Sequence, residues 1–286
     1  MRLYAETLGL PDAAFGLLRD LIQKRAGLFY ENSRRDLLAD RLSPCVVDCG
    51  FDSFLDYYYF LKYDPDAEAE WGRVMDVLSV QESYFWREMD QVHALVDVLA
   101  PEYFARQRKE PLRIWSAACA TGEEPLTIAM ALNEAGWFAR APIEIVASDA
   151  SPSAIRKARQ GLYRGRSFRN LPPALQDKYF TREQKGWKVV SNLQTRVRWA
   201  VVNLLDEAEM LHFASAQVTF CRNVFIYFSA DTIRRIVRVF AERMPTPGYL
   251  CVGASESLLR ATTDFDLEEI GSAFVYVKRN SRGREK

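Results

Sequence analysis

The chain has 286 residues, 49% of them hydrophobic and 27% charged, which is enough to bury one large core or two smaller ones and too apolar for wholesale disorder. Its 38 basic and 38 acidic residues cancel, so no global field draws it to nucleic acid or to an anionic membrane, and a charged partner must be met by a local patch. The N-terminal stretch MRLYAETLGLPDAAFG lacks the apolar core of a signal peptide and no apolar run reaches the length of a membrane span, so a cytoplasmic protein is expected.

From Asp12 to about Val80 the periodicity is helical. Phe15, Leu18, Leu21 and Ile22 form one apolar stripe with Gly27 as its stop signal. Next, RRDLLADRL sets Arg34, Arg35 and Arg41 around a helical core, a basic face suited to an acidic partner, and Pro44 is expected to end or kink that helix. Trp71, Val74, Met75 and Leu78 form another stripe, whose start we place at an Asp64 cap with Pro65 in the first position and Asp66 and Glu68 at the positive end. The segment QESYFWRE, Gln81 to Glu88, joins this helical front to a second helical region from about Asp90 to Lys109, expected to break at Pro101.

Beyond Lys109 the pattern changes to alternating strands and helices. The apolar runs LRIW, IEIVAS, VRWAVV, QVTFC and YLCVGA, separated by helix-like segments, predict a mostly parallel sheet covered on both faces. One helix is framed by Ser151 as cap, Pro152 at its start and Gly161 at its end; Ile233, Ile236, Val237 and Phe240 mark a later one. The last run, AFVYVKR, follows YLCVGA after at most a short helix and is expected to return as an antiparallel edge strand.

Five scattered cysteines (Cys45, Cys49, Cys119, Cys221, Cys251) read as reduced structural thiols, and two histidines, His93 and His212, cannot complete a zinc site. A nucleophilic Cys119 or Cys221 would have no histidine nearby in sequence. The informative stretch is SAACATGEEP, Ser116 to Pro125, a loop between the first strand and a helix. A dinucleotide site would place Gly-x-Gly-x-x-Gly there, to bring bare backbone against a pyrophosphate. Only Gly122 is present, and Glu123 and Glu124 at the helix start would repel a phosphate, although they also serve as plain helix-end acids. A cationic nucleoside such as S-adenosylmethionine fits better, with Asp149 at the end of the second strand accepting from the ribose hydroxyls. VNLLD, Val202 to Asp206, offers an amide and a carboxylate on the adenine side, and FCRNVFIYF ends a strand in Arg222 and Asn223.

In this order, WSAACATGEEP, ASDASPSAIRKARQGLY, VNLL, CRNVFIYF and GYLCVGASESL resemble the CheR family of chemotaxis receptor methyltransferases, and the resemblance extends through the helical front FGLLRDLIQKRAGLFYENSRRDLLADRL. It implies an α/β S-adenosylmethionine-dependent methyltransferase sheet of Rossmann-like type with a small all-α N-terminal domain. That suggests a receptor-recognising domain over residues 1–80, a linker and helix over 81–109, and a methyltransferase domain over 110–286 with a small β-subdomain at about 172–196. It also implies that S-adenosylmethionine, or its product S-adenosylhomocysteine, is held by Glu124, Asp149, the adenine-side pair Asn203 and Leu204, and Arg222 with Asn223. Arg87 and Tyr227 correspond to the active-site arginine and tyrosine. The linker pattern Asn-x-Thr-x-Phe-Phe-Arg reads here as Gln81, Ser83, Phe85, Trp86 and Arg87; the resemblance makes Gln81, Ser83 and Arg87 cofactor contacts too, with Gln81 and Ser83 keeping hydrogen-bonding ability at altered reach. Cys45 stands where a further arginine would extend the basic helix.

The implied reaction is methyl transfer to glutamate side chains of chemoreceptor methylation helices, by a monomer that meets them through Arg34, Arg35 and Arg41. Two other functions fit the same loop: methylation of RNA or a small molecule, which the lack of a basic stripe disfavours, and a regulatory protein that only binds the nucleoside, which intact Arg87 and Tyr227 disfavour. Some members of the family grip a C-terminal receptor pentapeptide on the β-subdomain through a glycine-rich loop. The link here, Phe180 to Trp187, is compact with Gly186 alone, so no such tether is expected.

Overall fold

A computed structural model describes residues 8–106 and 110–279. The far end of the helix expected to reach Lys109 and the first residues of the N-terminal stretch lie outside the described residues.

Four helices form the front: α1 (Asp12–Ala26), α2 (Arg35–Asp48), α3 (Phe54–Tyr63) and α4 (Ala67–Leu78). The predicted stripes of α1 and α4 meet in one core, with Leu18, Ile22, Leu38, Leu42, Trp71 and Val74 buried together. Gly27 ends α1 as expected, at φ 74° with its N–H on the Gln23 carbonyl. A Cβ there would sit 2.7 Å from Leu205 and 3.1 Å from Phe228, so the second half of the chain requires that glycine too. Two expected boundaries shift. Helix α2 runs through Pro44 for another turn, and α4 starts at Ala67, because the Asp64 carboxylate accepts from the Asp66 N–H (2.9 Å) and forms a turn ahead of the helix instead of capping it.

After the linker, α5 (Met89–Ala94) passes through a π-helical turn (Leu95–Leu99) into α6 (Ala100–Ala105). Pro101 therefore does not break the run. It falls in the first turn of α6, where the wider preceding turn accommodates its missing N–H.

The main sheet has seven strands in the order β6-β2-β1-β7-β8-β10-β9. Strands β1 (Leu112–Ala117), β2 (Ile143–Asp149), β6 (Val197–Val201), β7 (Val218–Cys221) and β8 (Gly248–Cys251) are parallel. They match the five predicted runs. Helices α7 (Glu123–Glu134), α8 (Trp137–Arg140), α9 (Pro152–Gln160), α12 (Glu207–Met210) and α13 (Ala230–Arg243) connect them. Leu126, Ile128 and Met130 pack with Val92 and Leu95 in one core of the domain, while Trp115, Val237 and Phe240 belong to another. Ser151 caps α9 by accepting from the Ala154 N–H, with Pro152 and Gly161 in their predicted places.

Strand β10 (Ala273–Lys278) is antiparallel as expected, but it is not the edge: β9 (Phe265–Ile270) pairs outside it in a hairpin, and no helix stands between β8 and β9 among the described residues. The run FDLEEI hides this strand because its alternation stops after four residues at Glu269; the exposed Asp266 and Glu269 protect the edge from further pairing.

A second, three-stranded antiparallel sheet has the order β3-β5-β4, from β3 (Leu162–Tyr163), β4 (Phe180–Glu183) and β5 (Gly186–Val189), with α10 (Pro173–Tyr179) between β3 and β4 and α11 (Ser191–Gln194) after β5. It starts at Leu162, upstream of the expected 172, because a two-residue strand has no periodicity to read. No helix among the described residues is long and apolar enough to cross a membrane.

Candidate functional site

Strand β1 delivers the chain to the loop Ala118–Gly122, and α7 takes it away. Ala118 (φ 56°), Ala120 (φ 49°) and Gly122 (φ 94°) are left-handed, which folds the loop tightly over the carboxyl ends of β1 and β2. A Cβ at Gly122 would lie 2.8 Å from the Trp199 ring and 2.9 Å from Ala158, so a glycine is needed there twice over.

The two loop carboxylates part company. Glu123 is 2% exposed and turns toward the small sheet, where it accepts from Thr121 Oγ1 (2.7 Å) and Ser167 Oγ (2.9 Å); burial raises its pKa and these hydrogen bonds lower it, with a net upward shift. Only Glu124 faces the cleft, so the expected pair of acids aimed at a ligand is one. It accepts from Ser116 Oγ (2.6 Å) and from Arg222 Nε (2.6 Å), whose side chain is 2% exposed. Arg222 also donates Nη1 to the Glu88 carbonyl (2.8 Å) and Nη2 to the Arg87 carbonyl (3.2 Å). One buried guanidinium thus ties the linker to the first turn of α7.

Asp149 closes β2 as predicted and accepts from the backbone N–H groups of Ala120 and Ser151, both at 2.9 Å. Burial moves its pKa upward against these two hydrogen bonds. Asp76 of α4 stands behind it, accepting from Ser151 Oγ (2.5 Å) and the Ser153 N–H (2.9 Å), so the front domain braces the α9 N-terminus.

Beside Glu124 and Arg222 lies a cleft enclosing about 510 Å³ of empty space, part of it open to solvent; Asp149 is not among its lining residues. Ser83, Arg87, Glu124, Arg222 and Asn223 line it, together with Glu82, Tyr84 and Ala118–Ala120. Five non-glycine residues have positive φ among the described residues, namely Trp86, Glu88, Ala118, Ala120 and Asn223. Three of them line the cleft and the other two flank Arg87. Such conformations cost on the order of 1–3 kcal/mol each and cluster where function demands them.

The other predicted residues lie elsewhere. Gln81 is used on α9: Nε2 reaches Ser151 Oγ (3.2 Å), and Oε1 accepts from Lys157 (2.8 Å). Asn203 donates to the Arg25 carbonyl (2.7 Å) and lines a second groove of about 2050 Å³ between the front helices and Ala150, Pro152 and Val201; Leu204 is buried. Tyr227 is half-buried at the domain junction, where its carbonyl accepts from the Phe29 N–H (3.1 Å), and it is not among the cleft-lining residues. Arg34, at the N-cap of α2, and Arg35 and Arg41 within it do not form one free face. Arg41 donates to the Leu78 carbonyl (2.7 Å), Arg35 pairs with Asp12 and Asp36, and Arg34 is exposed without an ion pair among the described residues. Burial, followed by nearby carboxylates, pushes the Cys119 and Cys221 thiols well above their ordinary value, so neither supplies a thiolate nucleophile at neutral pH. No group of three or more His, Cys, Asp or Glu suited to a metal occurs among the described residues.

Sequence reasoning missed Glu88 and Glu256. Glu88 accepts from Asn223 Nδ2 (3.2 Å) and the Ala254 N–H (3.3 Å). Glu256 collects four backbone N–H groups, from Asn223 (2.8 Å), Phe225 (2.7 Å), Ile226 (3.3 Å) and Gly253 (2.7 Å), and so fixes the turn after β7 that carries Asn223 and Tyr227. Its only signal was a lone acid after the small residues GAS. Glu256→Ala leaves these donors to water and is expected to cost about 1–3 kcal/mol of stability. Urea unfolding of the variant checks it, and an unchanged midpoint would show that the turn holds itself.

The donor set fits S-adenosylmethionine. Ala118 and Ala120 let backbone approach a ligand, Glu124 presents a carboxylate to cationic groups, and Arg87 is available to a carboxylate, while Arg222 is committed to Glu124 and the linker carbonyls. Residues 13–79 match the CheR methyltransferase all-alpha domain and residues 81–274 the CheR methyltransferase SAM-binding domain. Chemotaxis protein methyltransferase 2 of Vibrio cholerae is 33% identical over 272 residues, covering 94% of this chain and 94% of the relative. The chemotaxis protein methyltransferase of Escherichia coli is 33% identical, covering 92% and 90%, and chemotaxis protein methyltransferase 1 of Pseudomonas aeruginosa 29% identical, covering 93% and 97%. With both of its domains matched in order and its curated relatives aligned nearly end to end, the chain belongs to the CheR methyltransferase family.

Proposed function

We propose that this chain, an S-adenosylmethionine-dependent methyltransferase of chemotaxis, esterifies glutamate side chains on the cytoplasmic methylation helices of a chemoreceptor. The observation that carries this reading is the joining of Glu124 and Arg222 of the cofactor site to Arg87 of the linker in one cleft. The bound cofactor supplies an electrophilic methyl group. A glutamate carboxylate is ionised near neutrality, so no general base is required, and alignment and removal of water are what the protein has to provide.

Arg87 approaches Glu88 with Nε at 3.4 Å, and its planar end-on pair of nitrogens is the group assigned to a substrate carboxylate. Glu124, with Ser83, Arg222 and Asn223, holds the amino-acid end of the cofactor, and Asp149 and Asn203 the adenosine end. Tyr227 lies outside the cleft lining, on the same Glu256-held turn as the cleft-lining Asn223, and takes the substrate-orienting role on the family correspondence alone; Tyr227→Phe is expected to lower methyl transfer more than cofactor affinity. Release of base-labile methyl groups from chemoreceptor-bearing membranes tests the reaction, and label that stays on RNA or never leaves the cofactor would overturn it. Asp149→Ala is expected to weaken S-adenosylhomocysteine binding by roughly 1–3 kcal/mol in calorimetry, while NAD does not bind; equal affinity in the variant would refute the site.

For substrate recognition, Arg34→Glu with Arg35→Glu is expected to raise KM and flatten its salt dependence. Arg41 is left out because it holds the end of α4. An unchanged KM would make these arginines solvated surface. We also propose that the enzyme works without a pentapeptide tether. The strand containing WKVV is β5, the middle of the small sheet, so the edges a peptide could extend are β4 and the two-residue β3. Saturable low-micromolar binding of the receptor's C-terminal pentapeptide would refute tether independence.

A further inference from the structure

Tyr84 carries two guanidinium groups on one ring. The central carbon of Arg169 lies 3.6 Å from the ring centroid and that of Arg87 lies 5.4 Å from it. Both Tyr84 and Arg87 line the cleft.

Arg169 comes from a different part of the chain, and its place is fixed by packing. The Phe85 N–H donates to the Ser167 carbonyl (2.8 Å), and the Phe85 ring, fully buried, meets Tyr163, Phe168 and Phe180 at 4.8, 5.4 and 5.0 Å. The residue after Phe168 is thereby held over the residue before Phe85. Arg169 is exposed and forms no ion pair among the described residues, whereas the buried Arg222 is matched to Glu124. An exposed planar cation without an ion pair among the described residues, held on the same Tyr84 ring as the arginine assigned to the acceptor carboxylate, is organised for a second anion. Because a stacked guanidinium has fewer conformations to lose, an ion pair formed there is stronger than one on a free side chain.

We propose that Arg169, seated on Tyr84, is a specificity-determining residue that binds an acidic side chain of the substrate protein next to the glutamate held by Arg87. The enzyme then favours acceptor glutamates with a second carboxylate nearby on the same helical segment. This rests on the proposed glutamate methylation.

The test uses the full chain, S-adenosylmethionine and a purified chemoreceptor cytoplasmic fragment, with methyl ester formation as readout. Arg169→Ala is expected to raise KM roughly two- to fivefold and Arg169→Glu about tenfold, at unchanged S-adenosylhomocysteine affinity. Changing acidic neighbours of the acceptor glutamate to Gln in the fragment is expected to raise KM for the parent enzyme and to have no further effect on Arg169→Ala. A role limited to packing Tyr84 would not produce that coupling. If the parent forms esters and the two changes add independently, or Arg169→Glu keeps the parent KM, the inference is wrong and the methylation reading stands. If the parent forms no ester on the fragment, the methylation reading fails and takes the inference with it.

Discussion

Removing either partner of the Glu124–Arg222 pair should destabilise the protein by about 3–5 kcal/mol, because each single substitution strands the other group in a region that water hardly reaches. Their side chains are 15% and 2% exposed. Against a typical domain stability of about 5–15 kcal/mol, such a loss is large enough to see in any unfolding curve. The double variant Glu124→Ala, Arg222→Ala is expected to lose less than the sum of the single ones, since no unpaired charge remains. Cofactor affinity should fall with each single variant as well, because Arg222 fixes the carbonyls of Arg87 and Glu88 while Glu124 lines the cleft. Urea unfolding of all four proteins, paired with calorimetry for S-adenosylhomocysteine, measures both effects. Strictly additive losses below the range of an exposed pair, roughly 1 kcal/mol, would mean that the pair is not an electrostatic unit.

Arg87→Ala should lower kcat for methyl transfer on the order of 10²–10³, the scale seen when one preorganised charge-stabilising group is taken from an active site. Cofactor affinity should change much less, since the Arg87 contact to Arg222 is made by the backbone carbonyl, which alanine keeps. Arg87→Lys is expected to fall in between: it keeps the charge and loses the planar fork that aligns a carboxylate. Single-turnover transfer with saturating cofactor separates the chemical step from binding. A parent-like rate in Arg87→Ala would remove this residue from the proposed chemistry, and a parent-like rate in Arg87→Lys alone would reduce its part to charge attraction.

Much of the architecture is written locally. The stripes of α1 and α4, the Ser151, Pro152 and Gly161 frame of α9, and the five parallel strands all follow from spacing and caps, which depend on residues a few positions apart. Chain order likewise carried the order of the segments proposed to hold the cofactor: the loop after β1, Asp149 at the end of β2, and Arg222 with Asn223 after β7. These positions are legible because a strand delivers its last residue to the same sheet edge whatever surrounds it.

Long-range pairing decided the rest. Nothing near Glu123 and Glu124 in sequence says that one will turn to Ser167 while the other meets Arg222, 98 residues away, so the charge presented to a ligand is a tertiary property. Arg41, read as part of a basic face, is drawn inward by the Leu78 carbonyl because α2 packs against the end of α4. Strand β9 exists because β10 offers it an edge, and its alternation over Phe265–Glu268 is cut off by Glu269, too brief to announce a strand by itself. Glu256 gains its importance from four backbone donors that only the meeting of the β7 and β8 ends brings together. The sequence by itself determined the elements and which of them carry chemical groups. The tertiary structure decided which charges remain free, since a side chain's partner is set by packing across the chain and not by the residues beside it.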